Sequence, residues 1–188
     1  MKKYIFKEKF FKITDNYWIK DEKGEDAFYL DQDFTFFGYR AAIYGANREK
    51  LFTIEKKILS LLPKFFVNFE DGSEMVVNKR FTLLRKSIDV DTDFGTINLK
   101  GSVWDYNFVI SLNGKKIGEV NRKFISLTDH YVLTVFDENY TLAMIALVIC
   151  LNKIHDDEES ATTNSGGGNW DASINLCPSR TFCPSWTL

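Results

Sequence analysis

The chain has 188 residues, a length suited to one domain with or without a tail, and its 24 basic against 26 acidic residues leave a formal charge of −2. That balance excludes a global attraction to nucleic acid or to an anionic surface, so binding of either kind needs a local patch. Aromatic residues make up 15% of the chain, and Pro178 and Pro184 sit near its end, a composition that favours long, uninterrupted strands in the body.

The opening run Met1-Lys2-Lys3-Tyr4-Ile5-Phe6-Lys7 is basic but lacks an apolar core of signal-peptide length, so a cytoplasmic protein is expected. Tyr17-Trp18-Ile19-Lys20, then Asp21-Glu22-Lys23-Gly24, then Ala27-Phe28-Tyr29-Leu30 reads as strand, turn, strand. Glu70-Asp71-Gly72-Ser73 makes the same kind of turn between Phe65-Phe66-Val67 and Met75-Val76-Val77. Asn113-Gly114 is the strongest hairpin signal in the chain and joins a strand over 106–112 to one over 116–120. Strands at such spacing predict a barrel or a sandwich.

A weak internal repeat runs through the body. Ile54-Glu55-Lys56-Lys57-Ile58-Leu59-Ser60-Leu61 resembles Val120-Asn121-Arg122-Lys123-Phe124-Ile125-Ser126-Leu127, and Val77-Asn78-Lys79-Arg80-Phe81-Thr82-Leu83-Leu84 is a looser copy. Each reads as a strand with a bend after its basic pair, and the two basic residues of a pair face opposite ways.

The segment 140–154 breaks the strand pattern. Its Leu142-Ala143-Met144-Ile145-Ala146-Leu147-Val148-Ile149-Cys150-Leu151 core is apolar almost all round, and its Ala, Leu and Met content predicts a helix. The run is about half the roughly 20 residues that cross a bilayer, so no transmembrane segment is expected. A helix apolar on every face needs surroundings on every face, and in a β-rich chain the simplest container is the inside of a barrel. The acidic run Asp156-Asp157-Glu158-Glu159 is expected to end the ordered domain, giving a barrel over 1–158 and a flexible tail over 159–188 whose Gly, Ser and Thr content suits a linker.

The stretch from Gly101 to Val135 resembles the LURP-one-related family. The residues that carry the likeness are Gly101, Trp104, Tyr106, Phe108, Asn113-Gly114, Ile117, Val120, Arg122-Lys123-Phe124, Ser126, Asp129 and Tyr131, with Tyr17 to Gly24 and Ile54-Glu55-Lys56-Lys57 in support. The likeness covers about 1–157 and leaves the tail without a counterpart. It implies a tubby-like fold: a mainly β, closed antiparallel barrel that encloses a hydrophobic C-terminal helix. Related tubby-like domains include phosphoinositide-binding proteins and phospholipid scramblases, so the resemblance implies a fold more firmly than a function.

The candidate ligand-binding residues are Lys79, Arg80, Arg85, Lys86, Arg122 and Lys123, with Lys56 and Lys57 beside them. A basic patch of this kind grips the phosphates of a lipid headgroup or another phosphorylated ligand. The duller reading is solvated strand surface, in which lysines guard strand edges, and the near-neutral charge and the split of each pair across two faces favour it. His130, next to Asp129, and His155 are the histidines, and neither has a nucleophile in a recognisable setting, so no catalytic residue is assigned and no enzyme is expected. Asp89, Asp91 and Asp93 alternate but lack the calcium-loop pattern, and Cys150, Cys177 and Cys183 lack zinc spacing, so no metal or cofactor is expected. The expected function is a non-enzymatic binding module for anionic lipid or phosphorylated ligands, with a structural or protein-interaction barrel as the alternative.

Overall fold

In the computed structural model, residues 1–7, 16–35, 38–56, 62–81, 86–123 and 130–164 are described. The strands are β1 (Lys2–Lys7), β2 (Tyr17–Asp21), β3 (Asp26–Thr35), β4 (Gly38–Gly45), β5 (Lys50–Lys56) and β6 (Lys64–Phe69). They continue as β7 (Glu74–Phe81), β8 (Lys86–Thr92), β9 (Gly95–Ser102), β10 (Asn107–Leu112), β11 (Lys115–Lys123) and β12 (His130–Val135). A 3-10 turn at Glu138–Tyr140 leads into the helix α1 (Thr141–Asn164).

Each of these strands pairs antiparallel with the next, and β12 returns to β1 in a register running from Lys2↔Val135 to Lys7↔His130. The barrel is therefore closed, and closure removes the exposed edges that a sheet otherwise has to guard. Alternation along each strand sends one set of side chains inward: Tyr39, Ala41 and Ile43 on β4, Phe52 and Ile54 on β5, Phe65 and Val67 on β6. A barrel of this girth has a lumen wider than its own side chains fill. The helix α1 fills it.

Every residue from Ala143 to Asn152 is buried, so the helix has no solvent face over that span. This is the container arrangement expected from the unbroken apolar run, and it explains why the run is not amphipathic. The wall also yields to the helix. A Cβ on Gly118 of β11 would lie 2.5 Å from Met144 Sδ and 2.9 Å from the Thr134 carbonyl oxygen, so only glycine lets β11, β12 and α1 approach this closely. Burial pushes the Cys150 thiol, inside the same helix, well up from its ordinary pKa. Among the described residues no helix is long and apolar enough to cross a membrane.

Alternation of strand direction gives the barrel two unlike ends. At one end the connections 22–25, 46–49, 70–73, 93–94 and 113–114 reverse the chain tightly. Asn113 and Gly114 take φ of 49° and 82°, the left-handed pair that matches a hairpin's twist, and the Asn113 side chain accepts from Thr96 N at 3.0 Å. The helix enters here, after Phe136 N donates to the Ile117 carbonyl at 2.8 Å. At the other end β1, β3, β5, β7, β9 and β11 stop, and α1 emerges.

The helix runs further than its sequence suggests. The sequence reads as a helix over 140–154; in the structure Asp156, Asp157, Glu158 and Glu159 all lie within it, and it continues to Asn164. The reason is that basic groups of the barrel wall meet this run. The remainder of the tail, with Cys177 and Cys183, lies outside the described residues.

Candidate functional site at the helix-exit end of the barrel

The internal repeat has a structural meaning. Its copies cover the ends of β5, β7 and β11, strands that all point toward the helix-exit end. Ile54, Val77 and Val120 are fully buried, and two residues further on each strand stand Lys56, Lys79 and Arg122. Two-residue spacing keeps these three cations on the same inward side as the core residues before them. The repeat thus delivers one basic side chain to the inside of the mouth from each of three strands.

The helix supplies the opposite charge. Lys56 Nζ lies 2.6 Å from Asp157 Oδ2, and Lys153 Nζ, one helical turn before Asp157, lies 2.7 Å from its other oxygen. Lys79 is only 4% exposed and forms an ion pair with Glu158. An ammonium this deeply buried needs a counter-anion, because an unpaired charge out of water is costly. Lys79 Nζ also sits 5.6 Å from the centre of the Trp104 ring, and Lys153 Nζ sits 5.6 Å from that of Tyr39.

Aromatic rings pack between the core and this end of the barrel. Phe6 stacks on Tyr131 at 5.2 Å, Tyr131 stacks on Tyr106 at 4.4 Å, and His155 packs against Tyr106 and Trp104. Tyr106 holds φ of 51°, a conformation that costs a non-glycine residue on the order of 1 kcal/mol, and the ring stacks oppose that cost. Asn152 donates to the Tyr131 hydroxyl, and the Tyr39 hydroxyl donates to Gln32 Oε1 at 3.3 Å. Burial, followed by the Asp156 carboxylate, pushes the Tyr17 hydroxyl well above its ordinary pKa. Burial does the same for Tyr39. Both phenols stay neutral.

The candidate residues divide as follows. Lys79 and Arg122 are on the inner side of the mouth, and Lys79 is held by Glu158 and Trp104 rather than presented to solvent. Arg80 stands opposite Ser87, Lys86 opposite Phe81, and Lys123 opposite His130, all on the last rungs of their strand pairs. Arg85 and Lys57 lie outside the described residues. Asp91 and Asp93 serve the β7–β8 region, Asp91 accepting from Asn78 Nδ2 at 3.4 Å and Asp93 from Glu74 N at 2.8 Å. His155 Nδ1 lies 3.5 Å from Glu159. Sequence reasoning missed Lys153, Asp157, Glu158 and Trp104. The signal that could have found them was the acidic run itself, one helical turn beyond Lys153, taken together with the repeated basic pairs.

Known proteins resemble this chain in sequence or in fold. Protein YxjI of Bacillus subtilis strain 168, described as uncharacterized, is 24% identical over 158 residues, spanning 83% of this chain and 96% of that protein. The X-ray structure of a protein from Arabidopsis thaliana matches with a TM-score of 0.54 at 16% identity, over 84% of this chain and 91% of that one. At that identity the likeness is one of fold, the tubby-like barrel around a central helix. The model of the LURP-one-related family matches residues 2–152, and the chain belongs to that family.

Proposed function

We propose that the barrel is a non-enzymatic binding module whose helix-exit end takes a phosphate-bearing anion, supplied by an anionic phospholipid headgroup or by a soluble phosphorylated ligand. The observation that carries this reading is the gathering of basic positions at one end. Lys56, Lys79, Arg80, Arg122 and Lys123 fall near the ends of β5, β7 and β11, and Lys86 opens β8 opposite Phe81. The turns at the opposite end mix the signs, with Glu22, Glu25, Glu49, Glu70, Asp71 and Asp93 beside Lys23 and Arg48. A chain of net charge −2 has no long-range pull toward an anionic surface, so attraction has to come from basic groups held close together. Phosphate oxygens accept charge-assisted hydrogen bonds from such groups.

The test compares the two ends. Cosedimentation is measured with phosphatidylcholine vesicles, with and without phosphatidylserine or a phosphoinositide, and with soluble inositol phosphate as competitor. Neutralising Arg80, Lys86 and Lys123 to Gln is expected to weaken vesicle binding about a hundredfold, since each basic group near an anionic surface contributes about 1 kcal/mol. The same change at Lys2, Lys3 and Lys23 is expected to do little. Competition by inositol phosphate assigns the site to the phosphate itself; indifference to it assigns the site to the lipid surface. If neither the wild-type chain nor any variant binds vesicles or inositol phosphate at low salt, the reading falls and a protein-interaction barrel replaces it.

A further inference from the structure

We infer that the acidic run of α1 is an internal counter-anion that occupies the cationic mouth, and that a phosphate-bearing ligand competes with Asp157 and Glu158 for Lys56 and Lys79. The inference rests on the phosphate reading above and adds to it a means of regulation.

Three observations support it. The first is geometric. The inward cations of two repeat copies are each met by a carboxylate from consecutive helix positions, Lys56 by Asp157 and Lys79 by Glu158. Asp157 is shared, taking Lys56 on one oxygen and Lys153 on the other. A carboxylate held between two ammonium groups marks a position where a phosphate's oxygens would be equally well received.

The second concerns the helix. Asp157 and Glu158 stand seven and six residues before the end of α1, and its last turn carries no basic residue. The residues that follow, Ser160-Ala161-Thr162-Thr163-Asn164, include four that compete with the helix through their own side chains or lose rotamer freedom in it. Beyond Glu159 intrinsic preference is weak, and the pairs with Lys56 and Lys79 add to the Lys153–Asp157 and His155–Glu159 pairs in holding the terminal turns. A ligand that takes Lys56 and Lys79 removes part of the support of the terminal turns.

The third is the demand of Lys79. At 4% exposure, with Trp104 against it, its ammonium requires an anion at all times. A ligand that meets Lys79 in place of Glu158 competes with the helix end for one cation, and the coupling between the two is reciprocal.

The test uses the full chain with Asp157→Asn and, separately, Glu158→Gln. Each is expected to tighten binding to phosphatidylserine or phosphoinositide vesicles about fivefold, the effect of one charge near an anionic surface. Because Glu158→Gln leaves Lys79 without its carboxylate and lowers stability, hydrogen exchange on the wild-type chain is the second measurement. Amides between Asp157 and Ala161 are expected to exchange faster when vesicles or inositol phosphate are bound. If the wild type binds but Asp157→Asn binds no tighter and those amides are equally or better protected in the complex, competition is wrong and the phosphate reading stands. If no form of the protein binds, the phosphate reading itself fails and the competition fails with it.

Discussion

Where β2 meets β3 and β6 meets β7, the chain is turned by bonds between near neighbours; where α1 leaves the barrel, Lys56 meets Asp157 across 101 positions and Lys79 meets Glu158 across 79. In the first turn Asp21 Oδ1 accepts from the backbone N–H groups of Lys23 and Glu25, both at 2.9 Å. In the second, Asp71 Oδ1 accepts from Ser73 N at 2.9 Å and from its hydroxyl at 2.6 Å, and this hydroxyl bond holds the Asp71 carboxyl below the usual carboxylate range. The turns of one end are written locally, although Lys2 and the Met1 amine also meet Glu138 there. The other depends on the helix being in place, because its carboxylates arrive only with α1. The difference teaches that one barrel can turn its chain by short-range bonds at one end and join wall to helix by long-range ion pairs at the other.

The strongest way to break the comparison is to remove the element that joins the two ends. Ala146 lies in the enclosed part of the helix with no exposure, within the hydrophobic core cluster, where a carboxylate would enter apolar surroundings. Ala146→Asp is expected to cost on the order of 5 kcal/mol, comparable with the whole stability of an ordinary domain, and to abolish cooperative melting followed by near-UV circular dichroism. An unchanged melting temperature would mean that the helix is not enclosed, and the distinction between the ends would lose its basis.

A smaller effect separates the ion pairs of the mouth from plain packing. Glu158→Gln, which takes the Glu158 carboxylate from the buried Lys79, is expected to destabilise the chain by about 3 kcal/mol in denaturant unfolding. The double change Lys79→Met with Glu158→Met removes both charges and is expected to be neutral or stabilising, since well-packed apolar groups often replace a buried pair without loss. It should also lower vesicle affinity, because the cation is gone. A double variant as unstable as the single one would show that the pair serves the fold itself, and the mouth would then be as fixed as the turn end.

The unequal legibility of the two ends has the same physical origin as their unequal construction. Turn chemistry at Gly24, Gly72 and Asn113-Gly114 is a short-range code, so the hairpins β2–β3, β6–β7 and β10–β11 could be read directly from the residues. The enclosed helix was legible too, because an all-round apolar run has few places to go. The mouth was not. Lys79 stood among the basic candidates as a surface ligand group, whereas alternation from the buried Val77 turns it inward. Asp156 to Glu159 looked like a solvated end, since nothing within a few residues neutralises it apart from Lys153, and the decisive partners lie on β5 and β7. The repeat held the missing information: its first basic residue always follows a core position by two.

The smallest effect expected is at the turn end, and it tests whether that end is as local as it looks. A Cβ added at Gly114 would meet nothing within 4 Å, so Gly114→Ala has no steric cost beyond the backbone itself at φ of 82°. An alanine in that region costs about 1 kcal/mol, which for a chain of this size corresponds to about 2–4 °C in melting temperature. The denaturant slope should not change, because no surface is newly exposed. Vesicle binding should not change either, because the Asn113-Gly114 turn lies at the end remote from Lys56 and Lys79. A loss of 3 kcal/mol or more would mean that the turn sets the β10–β11 register, which shifts between Ile110 and Ser111, rather than merely reversing the chain. A slip there would carry Val120 and Arg122 to the opposite faces of β11, and in that case a single glycine at the closed end would govern the cations at the open one.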